Sequence, residues 1–132
     1  MAQLVREISD GVSLGVLDGL ETVCIQLAES PRAVRVHSNI GDRTPVHSAS
    51  SGLVLLAALG DAAVTELLPS VLEGFTEATP RSRKAVLGML GDIRARGYAF
   101  CRGAWRAEVG GVSVPVRGAD GAVAAALCAA AP

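Results

Sequence analysis

Residues 94–132 constrain the fold more than any other stretch of this chain. Arg94 and Arg96 suit the negative end of a helix dipole, and Gly97 is placed to take the left-handed backbone that ends a helix. Three strand-like runs follow at residues 98–101, 111–117 and 122–130, the last two joined by a turn over 118–121 that contains Asp120-Gly121. The other end of the chain repeats the device. Val12, Leu14 and Val16 alternate with Ser13 and Gly15, Asp18-Gly19 marks a tight turn, and Val23, Ile25 and Leu27 alternate on the way back. Hairpins at both ends imply an antiparallel sheet.

The middle reads as helices. Leu53, Leu56, Ala57 and Leu59 lie on a helix that Ser48 or Ser50 can cap. Gly60-Asp61 ends it and opens a short helix running to Leu68. Residues 69–78 are the least regular. Thr79-Pro80 predicts the next helix start, with Thr79 as cap, and Val86, Leu90 and Ile93 as its buried face. Before the first hairpin, Leu4, Val5 and Ile8 form one stripe of a short helix stopped at Asp10-Gly11. After it, Ser30-Pro31 breaks the strand, residues 33–37 predict a third strand, and 39–45 a loop. The expected class is α+β: a six-stranded antiparallel sheet with helices packed on it.

With 132 residues, half of them apolar, one domain with a real core is the natural size. The formal net charge is −1, and the one dense basic cluster, Arg81, Arg83 and Lys84, reads as a solvated helix start. A phosphate-binding patch needs more cations with aromatic or amide partners, so binding to nucleic acid by this chain alone is not expected. No apolar run suits a membrane span, and no secretory signal pattern opens the chain. Cys24, Cys101 and Cys128 are odd in number and widely spaced, as in reduced thiols of a cytoplasmic protein.

Six motifs in order then resemble the C-terminal effector-binding domain of IclR-family transcriptional regulators. Gly11 to Gly19 resembles its first hairpin. Gly41, Pro45, His47 and Gly52, followed by Leu55-Leu56-Ala57, resemble its Gly-x-x-x-Pro-x-His-x-x-x-x-Gly loop and helix. Thr76 and Thr79 match its Thr-x-x-Thr, Ile93 to Ala99 its Ile-Arg-x-x-Gly-Tyr-Ala, and Pro115-Val116, Gly121 and Pro132 its closing strands. The resemblance implies a GAF-like (profilin-like) fold over residues 11–132, preceded by a linker-type helix over 1–10. It implies a small organic effector, a homodimer or tetramer, and contact with DNA only through a winged helix-turn-helix that this chain does not carry. An excised domain and a reduced natural protein both fit.

The family holds an effector carboxylate with backbone amides at a helix start and with polar groups on the closing strands. Here the helix start is Ser48 to Gly52, with Ser50 and Ser51 as candidate ligands; the alternative is that these serines only cap the helix. The chain departs from the family at the strands. A frequent Asp is Cys101, a frequent Cys is Gly111, and two serines are Cys128 and Ala130. Cys128 and Ala130 share a face by parity, while Val123 and Leu127 are expected to pack against helices from the other. These replacements imply a larger, more apolar pocket for a hydrophobic or aromatic acid, or a sheet that has closed up where a site has degenerated. Trp105 is a lid over the ligand, a core anchor or an interface residue.

Three thiols with His37 and His47 fit no zinc spacing, so no metal or cofactor is expected. A structural hydrogen bond suits His47. Close approach of Cys101 and Cys128 would permit a redox response, and a cysteine with His47 would permit a nucleophilic dyad, but no catalytic constellation stands out and no enzyme is expected. Two readings remain: an effector sensor, and a ligand-independent dimerisation or interaction module that assembles with full-length regulators.

Overall fold

The computed structural model describes residues 1–8, 10–33 and 38–132. Helix α1 (Ala2–Ile8) leads into the hairpin of β1 (Gly11–Asp18) and β2 (Glu21–Ala28). Gly19 takes φ +62° between them, as its pairing with Asp18 predicts. The strand expected at 33–37 falls on residues 34–37, outside the described residues. The next strand described is β3 (Arg43–Pro45), inside the stretch expected as a loop. It lies antiparallel to the start of β2, with Glu21 opposite Pro45 and Val23 opposite Arg43. Pro45 is tolerated there because, among the described residues, β3 is an edge strand.

Helix α2 (Ser50–Leu59) is apolar on nearly every side, which requires neighbours on both sides. It lies between the sheet and α4 (Arg83–Arg96), and Leu53 and Leu56 are fully buried. Helix α4 buries Val86, Leu90 and Ile93, the expected face. Its start differs from the expectation. Ser82, not Thr79, is the cap and accepts from the Ala85 N–H at 3.0 Å. Thr79 is unavailable because its hydroxyl serves a distant segment, described below. Gly97 ends α4 at φ +83° and donates to the Ile93 carbonyl, as predicted.

Two arginines of α4 fasten it to the other helices. Arg94 donates from Nε to the Ala57 carbonyl at 2.7 Å and pairs with Asp61 at 2.9 Å, so it holds both the end of α2 and the start of α3 (Asp61–Leu67). Arg83 was expected to be merely solvated. Its guanidinium donates to the Thr65 and Leu68 carbonyls at 3.2 and 3.0 Å, covering the carbonyl end of α3.

Strands β4 (Ala99–Arg102), β5 (Gly110–Arg117) and β6 (Val123–Ala131) complete one antiparallel sheet in the order β3-β2-β1-β6-β5-β4. The first and last strands are thus central neighbours. Ala99 and Ala126 are fully buried in the core with α2, and their lack of bulk lets the helix sit close. Leu127 does not pack against the helices as expected. It pairs with Val114 and Leu14 on the opposite face, where Val112, Val114 and Phe100 are exposed. Val123 does reach the core, because an irregularity between Val116 and Arg117 breaks the alternation before it. At one end of that face α1 lies against β1, where Val5 and Val12 are buried.

Among the described residues no single helix is long and apolar enough to cross a membrane. The consecutive helices α2 and α3 reach the required length and apolarity together, but they are bent by 119° and α2 is a core helix.

Candidate functional site

The amino end of α2 is poor in caps although rich in serine. Ala49 occupies the cap position with extended backbone and offers no side-chain acceptor. The Ser48 hydroxyl donates to the Pro45 carbonyl at 2.9 Å. The Ser50 hydroxyl leaves the helix for the sheet, 2.8 Å from Ser113 Oγ and 3.7 Å from Cys128 Sγ. Neither serine therefore caps α2, contrary to the expectation. The first helical amide with an acceptor is that of Leu53, which donates to Ala49. The N–H groups of Ser50, Ser51 and Gly52 have no protein acceptor among the described residues. They sit at the positive end of the helix dipole.

Ser50 and Ser51, two of these three residues, border a cavity of about 310 Å³, at the small end for ligand sites. Ser50 and Ser51 form its helix side, and Gly111, Cys128 and Ala130 its sheet floor, with Cys101 and Trp105 in the remaining wall. All seven candidate residues therefore meet in one place. The register explains why. Ser13, Cys128 and Ser113 form one row across β1, β6 and β5, and Gly11, Ala130, Gly111 and Cys101 form the next. A Cβ on Gly111 would lie 3.1 Å from Ser50 Oγ and 3.6 Å from Cys128 Sγ, so only a glycine leaves this gap open without displacement.

The sequence missed several wall residues: Ser13, Thr22, Cys24, Arg43 and Arg106. With them the wall is more polar than the strand replacements suggested. Ser113, fully buried and bonded to Ser50, was also missed. Its parity with Gly111 on β5 was the signal that could have found it.

The 103–109 segment covers one side of the cavity and is firmly tied. Gly103 donates to the Val109 carbonyl at 2.8 Å, and Val109 to the Arg106 carbonyl at 3.0 Å. Thr76 and Thr79 donate to the successive carbonyls of Gly103 and Ala104, the second at 2.5 Å. Trp105 faces the cavity and also packs edge-on against Phe75, centroids 4.7 Å apart. Phe75 in turn lies 5.6 Å from His47, whose Nε2 is 2.7 Å from the Glu73 carbonyl. His47 thus has the structural hydrogen bond expected of it and is not in the cavity wall.

Cys101 and Cys24 are poor nucleophiles here. Burial, with Cys128 nearby, pushes Cys101 up to about 11, and burial likewise raises Cys24. Cys101 pairs with Gly111 of β5, which itself pairs with β6, so Cys101 and Cys128 are two strand spacings apart. That is roughly 10 Å between backbones, beyond the ~7 Å limit for a disulfide. The redox pairing considered from sequence is not reachable. A shift of this size lowers the thiolate fraction about 100-fold at neutral pH. Iodoacetamide should therefore label Cys101 about 100-fold more slowly in the folded chain than in urea, read by peptide mass; equal rates would contradict this environment. Among the described residues no group of three His, Cys, Asp or Glu side chains is disposed to hold a metal ion.

Comparison with known proteins agrees with this architecture. The family model described as bacterial transcriptional regulator IclR C-terminal matches residues 1–132. The chain is 38% identical over 128 residues to the HTH-type transcriptional regulator XynR of Escherichia coli (strain K12), covering 96% of this chain and 51% of that protein. It thus spans about half the length of this curated relative. The crystal structure of the C-terminal domain of E. coli KdgR superposes with a TM-score of 0.88 at 31% identity, covering 100% of this chain and 76% of that one. An IclR homologue from Microbacterium hydrocarbonoxydans, crystallised with 4-hydroxybenzoate, superposes with a TM-score of 0.89 at 30% identity, covering 100% and 55%. Motif order, sheet topology and these likenesses converge: the chain belongs to the IclR family, as the C-terminal effector-binding domain of a transcriptional regulator.

Proposed function

We propose that this domain senses a small aromatic or otherwise hydrophobic acid in the cavity between α2 and the sheet, and so controls attached DNA-binding domains. The observation that carries the reading is the pair of unpartnered amides of Ser50 and Ser51 beside a cavity with an aromatic wall at Trp105. An anion is favoured where helix amides are free and the dipole is positive. The acid's ring lies against Trp105 and the thiols, and its polar substituents meet Ser13 and Thr22. The 4-hydroxybenzoate complex of the Microbacterium homologue supports this chemical class. DNA contact belongs to a helix-turn-helix domain outside this chain, α1 is the end of the linker helix, and the regulator works in the cytoplasm as a homodimer or tetramer. Regulation requires the acid to bind one quaternary state more tightly than the other.

Calorimetric titration with 4-hydroxybenzoate tests the reading. Heat with micromolar to millimolar affinity is expected, and Cys128→Trp, which fills the floor, should lower affinity at least about tenfold while the thermal melt stays cooperative. Undiminished binding to that variant would place the ligand elsewhere. A second reading, the ligand-independent interaction module, is favoured by the exposed apolar sheet face at Val112, Val114 and Phe100, the last 56% exposed. Concentration-dependent sedimentation with no heat from any aromatic acid would favour it.

A further inference from the structure

Two arginines, Arg43 and Arg106, line the cavity, and they are not equivalent. Arg43, on β3, pairs with Asp18 at 2.8 Å and with Glu21 at 3.3 Å. Its charge is already matched by two carboxylates. Asp42, the one carboxylate of the wall among the described residues, lies beside it in sequence and accepts the Asn39 N–H at 2.9 Å. Arg106 enters from the opposite side, because its segment joins β4 to β5 and β3 and β4 are the two edges of the sheet. Its side chain is exposed at the mouth and has no acidic or carbonyl partner among the described residues. Its backbone is nevertheless held, since its own carbonyl accepts from Val109 and the neighbouring Gly103 and Ala104 carbonyls are bound by Thr76 and Thr79.

Among the described residues the cavity wall therefore has one unmatched cation, on a tethered segment, directly after the tryptophan that faces the same space. We propose that Arg106 selects the effector's charge: the pocket prefers a small acid bearing a second anionic group at the end turned toward the mouth, such as an aromatic dicarboxylate. The proposal rests on the reading of this cavity as the effector site. A guanidinium recognises a carboxylate through paired N–H donors, so a second carboxylate there gains a charge-assisted contact that a monoacid lacks. A ligand covering the mouth also strips water from that contact and strengthens it.

The test titrates the full chain with benzoate and with terephthalate, by calorimetry and by the emission of Trp105, its only tryptophan. Terephthalate is expected to bind about tenfold more tightly than benzoate. In Arg106→Gln the ratio should fall to about one while benzoate affinity changes by less than about twofold, and Arg106→Lys should keep part of the preference. An unchanged ratio in Arg106→Gln overturns the proposal, as does benzoate binding the native chain as tightly as terephthalate; both outcomes leave the cavity reading intact. Silence from both ligands overturns the cavity reading and this proposal together.

Discussion

Gly52→Ala should lower the melting temperature by about 10 °C, the equivalent of roughly 3 kcal/mol, in a scan followed by circular dichroism. An ideal Cβ at this position would lie 2.0 Å from the Val46 carbonyl oxygen and 2.6 and 2.7 Å from Val46 C and Cα. All three are backbone atoms, so no rotamer change relieves the clash. Val46 is also fully buried and donates to the Leu20 carbonyl at 2.9 Å, which limits its retreat. The helix must move instead, and it carries the amides of the cavity with it. Gly88→Ala in α4 is the matched control. Nothing lies within 4 Å of its added Cβ, so the usual gain from replacing an exposed helical glycine, about 0.5–1 kcal/mol, is expected. A Gly52→Ala melt within about 2 °C of the native chain would mean that α2 and the Val46 turn are not in fact pressed together.

Thr79→Val should cost about 2–4 kcal/mol, since it nearly preserves shape and removes three hydrogen bonds at once. Thr79 is only 4% exposed. Its hydroxyl accepts from the Phe75 and Thr76 N–H groups at 3.1 and 3.0 Å and donates to the Ala104 carbonyl. Valine leaves two donors and one acceptor without this partner. Because Ala104 precedes Trp105, the emission of Trp105 should shift to the red as its segment loosens, while Thr79→Ser restores most of both signals. If Thr79→Val melts like the native chain with unchanged emission, the tether between residues 75–79 and 103–104 is not what holds the cavity wall.

The parts of the fold that the sequence discloses are those fixed by local turn chemistry. Gly19, Gly97 and Gly121 all adopt positive φ where the flanking pattern requires a turn or helix end. What stayed hidden depends on remote partners. The three residues of β3 include a proline and form a strand only because the edge of β2 offers its backbone. Thr79 looks like a better cap than Ser82 until the Phe75 and Thr76 N–H groups occupy its hydroxyl oxygen. Ser48 and Ser50 look like caps until Pro45, Ser113 and Cys128 engage them. The floor of the cavity was legible, because strand parity puts Cys128 and Ala130 on a common side and the family resemblance brought Gly111 to the same site. Arg106 was not, since nothing local indicates which way a loop will carry an arginine.

The sheet's central seam joins β1 to β6, two strands separated by most of this domain's sequence. Until β6 has emerged from the ribosome, β1 presents an open edge and α2 has only half a floor beneath it. Folding is then a late, long-range closure, slow relative to local hairpin formation. Nascent chains stalled before β6 will expose the same aliphatic surfaces that chaperones bind.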